Sequence, residues 1–200
     1  MTASSMKNWK VFISAMALTG IVSFVWYQAV GITDESISTT IRYSGQLAFV
    51  IFLAVLVARP LQQLVQADWT AALRRNRRMV GVAFAGVMAA HLVMIVMRLR
   101  LTPDLNFPPQ TLVFGGIAYA LIGLMFITSF DPPARALGPK AWKWLHRIGL
   151  IWISFIFAFP SSVEDLSSPG YLKFGIPFAI ALVIRITAWQ RSRQRNEASH

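Results

Sequence analysis

Six apolar windows set what this chain can fold into: residues 11–30, 41–57, 79–97, 111–130, 144–159 and 171–189. A helix needs about 20 mostly apolar residues to cross a bilayer. Backbone polar groups inside the hydrocarbon must be satisfied within the segment itself, so such windows form helices. The windows therefore predict an all-α integral membrane protein, a six-transmembrane-helix bundle that makes one domain of residues 1–200. Composition agrees, with 56% hydrophobic and 14% charged residues, where soluble domains carry roughly 25% charged.

The charges predict the topology. The chain carries +11, from 19 Lys and Arg against 8 Asp and Glu. In a soluble protein that balance suggests nucleic acid. Here the cations flank apolar runs, so no nucleic-acid partner is expected. Arg42, Arg98, Arg100 and Lys173 fall on one side of the predicted membrane, and the other 15 of the 19 fall on the opposite side. The positive-inside rule then puts both termini in the cytoplasm. Lys7 and Lys10 before the first window look like a signal-peptide start. Its apolar run exceeds the usual ~7–15 residues and no A-x-A site follows, so it reads as a retained anchor.

Prolines punctuate the connections. Pro103, Pro108 and Pro109 interrupt the third–fourth loop, Asp131-Pro132-Pro133 should end the fourth span, and Pro160 the fifth. Pro177 predicts a kink inside the sixth. Residues 59–78, with Trp69 and the run LRRNRR, suit a basic amphipathic connection on the inner leaflet. Residues 190–200 form a basic tail.

There is no cysteine and there are only three histidines. Thiolate metal sites and iron–sulfur clusters are excluded. His200 is a tail residue. An ionisable group inside a span is costly and is a functional candidate by default. His91 is the clearest case, within AFAGVMAAHLVMIVM. A neutral histidine bonded to a neighbouring helix is the plainer reading of it. His146 lies beside Lys143 and Arg147, where an interfacial, solvated histidine is the plainer reading. Two such histidines are also how b-type haems are held. At ~1.5 Å per residue, however, their depths differ by about 15 Å, so they cannot ligate one iron from opposite faces.

Two motifs carry a resemblance. RRMVGVAFAGVMAAH (77–91) is similar to the basic–Leu-Gly–Ala-Phe–His run of the ferric-reductase-like transmembrane domain superfamily. TSFDPPARALGPKAWKWLHRI (128–148) resembles that family's Thr-Ser…Leu-Gly-x-x-Trp-x-x-Leu-His-Arg run, with Thr128, Ser129, Leu137, Gly138, Trp142, Leu145, His146 and Arg147 in register. Within the superfamily the likeness is to the haem-binding membrane subunits of bacterial methionine sulfoxide reductase systems. The resemblance implies haem b between the third and fifth spans. His91 would be the outer-layer ligand and the residue bound to haem iron, and His146 the inner-layer histidine. The opposite positions hold Phe159 and Arg78, and Leu150 stands near an expected tyrosine.

Three readings stay open. A haem held through one histidine is the first, with Met88, Met94 or Met125 as a sixth ligand by type. The second is a haem-free accessory subunit, with Phe159 and Trp152 filling the space. The third is a quinone or lipid cavity with Trp142, Trp144 and His146 at its inner mouth. The leading expectation is membrane electron transfer, as at most a subunit of an oxidoreductase. Quinone or flavin would then act only through partners such as a separate redox protein.

Overall fold

The computed structural model describes residues 31–158 and 169–197, and these are all-helical. Seven helices run in order: α1 (Asp34–Leu64), α2 (Asp68–Arg75), α3 (Arg77–Leu101), α4 (Pro109–Ile127), α5 (Asp131–Leu137), α6 (Pro139–Ala158) and α7 (Pro169–Glu197). Three of them, α1, α3 and α4, are long and apolar enough to cross a membrane. The first apolar window, Phe159, Pro160 and His200 lie outside the described residues.

Local chemistry explains the helix ends. Thr33 caps α1 reciprocally. Ser36 N–H donates to Thr33 Oγ1 (3.1 Å), and Thr33 N–H donates to Ser36 Oγ (2.9 Å), while Asp34 and Glu35 in the first turn complement the helix dipole. Pro109 opens α4 at a position where its missing N–H costs nothing. Asp131-Pro132-Pro133 does not terminate α4. That helix stops at Ile127, where the Thr128 and Ser129 hydroxyls donate to the carbonyls of Leu124 and Met125, each at 2.7 Å. The prolines instead start α5. Gly138, at φ +80°, ends α5 in a conformation other residues rarely adopt, and Pro139 opens α6 immediately after.

Side-chain pairs give the helix directions. Asp34 meets Arg98 (2.8 and 3.2 Å), Ser44 meets His91 (2.8 Å) and Arg77 Nε donates to the Val55 carbonyl (3.0 Å). As α1 advances α3 recedes, so the two are antiparallel and are tied at both ends and the middle. Phe114 packs on Trp152 and Trp142 Nε1 donates to the Thr128 carbonyl (2.8 Å), which makes α4 and α6 antiparallel. Phe49 meets Phe174 and Leu56 meets Arg185, so α1 and α7 run parallel. Long helices thus alternate in direction, and one end of the bundle gathers most of the arginines and lysines. That basic end holds the C-terminus of α1 and the N-termini of α3 and α6.

The core joins α1, α3, α4, α6 and α7 through Phe52, Leu56, Phe84, Ile122, Ile153 and Ala181. Gly149 lets α6 approach α4 closely. A side chain there would collide with the Met125 thioether. Helix α1 also continues past the second window, through Pro60 to Leu64.

Candidate functional site

His91 sits mid-way along α3, and its bonded neighbour is on α1. The Ser44 hydroxyl has one proton, which it donates to the Ile41 carbonyl at 3.0 Å. With that proton on Ile41, Ser44 Oγ accepts from His91 Nδ1–H at 2.8 Å. The hydrogen-bond network so assigns the tautomer, with the lone pair on Nε2. Gly45 makes room for the ring, since a Cβ there would already touch His91 Cε1 at 3.5 Å. The sequence alone drew attention to His91 but not to Ser44, whose partner lies 47 residues away.

His146 is anchored differently. It is half-buried in α6, and its Nδ1–H donates to the Trp142 carbonyl one turn back at 3.1 Å. Its ring stacks on Trp142 at 4.0 Å between centroids. Trp142 in turn is fixed to α4 through Thr128. This is a packed setting rather than a solvated one, although Trp144 nearby is 60% exposed and carries Arg147 over its face. Nε2 is again the nitrogen with no protein partner among the described residues. Both imidazoles thus have the form of metal-binding histidines, with one ring nitrogen tied back and the other open.

The structure does not bring the two histidines together. His91 is bonded towards α1, and His146 within α6 and towards α4. Arg78 reaches outward to Asp131 at 2.9 Å in an exposed ion pair, with 50% and 72% of the two side chains accessible. It stands clear of the bundle interior, and such pairs contribute little to stability. Trp152 does not fill space between α3 and α6; its Nε1 donates to the Phe114 carbonyl of α4 at 3.2 Å. Phe157 takes that role instead. Its ring lies 5.5 Å from Phe52 and 6.5 Å from Phe84. Met125 packs against Gly149, and Met88 and Leu150 pack on the core.

One further polar group escaped the sequence reading. Tyr119 Oη on α4 is the buried side-chain polar atom with no hydrogen-bond partner among the described residues. An orphaned hydroxyl in an apolar interior costs free energy unless something bonds it.

A family model described as ferric reductase like transmembrane component matches residues 39–159. The chain belongs to this family. The match runs from within α1 to the end of α6, and so takes in both histidines and Ser44. Among ferric-reductase-like relatives, the heme-binding subunit MsrQ of protein-methionine-sulfoxide reductase from Ralstonia nicotianae is 26% identical over 195 residues, covering 90% of this chain and 87% of that protein. MsrQ from Herminiimonas arsenicoxydans is 27% identical over 167 residues, covering 78% and 73%. The magnetosome protein MamZ of Paramagnetospirillum magneticum is 25% identical over 208 residues, but the chain spans only 30% of its length. No solved structure matches the chain.

Proposed function

We propose that this ferric-reductase-like chain is a membrane electron-transfer subunit that binds haem b through His91 Nε2, with His146 as the second ligand position. The Ser44–His91 hydrogen bond carries the reading, because a ring held at Nδ1 offers Nε2 to a haem iron. The relatives named as heme-binding subunits support it. When bound, such a haem supplies a one-electron couple. The protein's part is to hold each imidazole at Nδ1 and to surround the site with apolar side chains. Six spans with both termini cytoplasmic put the basic end at the inner face of a bacterial inner membrane. Electrons enter there from quinol or a separate flavoprotein and leave towards an acceptor on the outer side.

A second reading is a haem-free accessory subunit. The contact of Phe157 with Phe52 and Phe84 favours it, because it closes space between α1, α3 and α6. Haem content per chain separates the two. Chain purified from haem-sufficient cells should carry haem, and His91→Ala should lose more of it than His146→Ala. Equal haem content in wild type and both variants would refute ligation by either histidine.

A further inference from the structure

At the basic end a cavity of about 370 Å³ opens between α1, α3, α6 and α7. Three arginines line it, Arg59, Arg77 and Arg185, and no carboxylate does. Among the described residues the ion pairs are Arg78–Asp131 and Arg98–Asp34, so no described carboxylate neutralises any of the three. Like charges sharing a partly enclosed space repel, and an anion between them relieves that repulsion.

Two of these arginines are fixed in place. Pro60 has no N–H, so the carbonyl of Leu56, four residues earlier, lacks its helical partner. Arg185 NH1 donates to it at 3.4 Å. Arg77 Nε donates to Val55 at 3.0 Å and keeps its terminal nitrogens for another acceptor. The proline in α1 thus creates the acceptor that aims Arg185 into the cavity. The other walls are mixed, with Gln63 and Ser192 polar and Leu56, Pro60, Leu150 and Ala188 apolar. Leu56 is 4% exposed and Ala188 2%, with Leu150 beside them and the exposed indole of Trp189 at the rim.

Cations above an apolar floor suit an amphiphile better than a free ion. We infer that this cavity binds the phosphate of an anionic phospholipid, with Arg59, Arg77 and Arg185 around the phosphate and the acyl chains against Leu56 and Leu150. Basic pockets between helices on the cytoplasmic side take such headgroups. Neither histidine lines the cavity, although His146 lies one turn before Leu150, which does.

Arg59 is the residue to change, because its side chain bonds no protein group among the described residues. Purified full chain titrated with phosphatidylglycerol in detergent, followed by native mass spectrometry, should show saturable binding that phosphatidylcholine does not match. Arg59→Gln should weaken it about fivefold, the equivalent of ~1 kcal/mol per basic residue. Arg75→Gln, which removes an equal charge from exposed α2 outside the cavity, should leave it unchanged. Equal losses in the two variants would overturn the site in favour of diffuse charge. Competition by millimolar inorganic phosphate as effective as the lipid itself would overturn the lipid and leave a soluble anion. If Arg59→Gln does not purify, photoactivatable phosphatidylglycerol on the wild type decides. Cross-links concentrated near Trp189 and Ser192 support the site, and an even spread refutes it.

Discussion

Replacing Ser44 with alanine removes the hydroxyl that holds His91 from the neighbouring helix. In the native bundle Ser44 Oγ donates to Ile41 at 3.0 Å and accepts from His91 Nδ1–H at 2.8 Å. Without it, the ring N–H loses the serine oxygen and is left with the Ile41 carbonyl, which costs up to about 1–3 kcal/mol. Loss of a hydrogen bond behind a ligating histidine typically costs 10–100-fold in affinity. The expectation is therefore that Ser44→Ala binds haem about 10–100-fold more weakly, while Ser44→Thr, which keeps a hydroxyl, stays closer to wild type. Haem titration of purified apoprotein in detergent measures this. Nitrogen-15 NMR of the labelled histidines checks the tautomer independently of haem. A proton on Nε2 of His91, or wild-type haem affinity in Ser44→Ala alongside loss in His91→Ala, would refute the tautomer assignment.

Two further outcomes are expected. Gly149→Leu should destabilise the bundle by about 1–3 kcal/mol through overpacking against Met125, seen as a lower melting temperature in detergent; Met125→Ala in the same chain should recover part of the loss, and no recovery would place the strain elsewhere. Phe159→His should raise haem content if an outer cavity is open to a second imidazole, whereas unchanged content would favour the packed, haem-free reading.

Apolar windows made the long helices legible, because hydropathy is local information. The window 79–97, for example, lies within Arg77–Leu101. Helix ends were less legible where distant groups decide them. The second window ends at residue 57, yet α1 runs on through Pro60 to Leu64, and Arg185, 129 residues along the chain, donates to the Leu56 carbonyl that the proline leaves free. Asp131-Pro132-Pro133 reads as the end of a span. The Thr128 and Ser129 hydroxyls close α4 first, which leaves the prolines to open α5. At the candidate site the histidines stood out as polar atoms in apolar surroundings. Their anchors did not, since Ser44 is an ordinary serine until packing sets it against His91. Nor was it legible that Phe157, rather than Trp152, faces α3, because both are aromatic residues on one apolar helix.

The dithionite-reduced-minus-oxidised absorption spectrum of the full-length chain, purified from haem-sufficient cells, tests electron transfer through His91 most directly. A b-type α band that is present in the wild type and abolished in His91→Ala is the predicted result. A colourless wild-type protein, or a band that persists undiminished in His91→Ala, would contradict it.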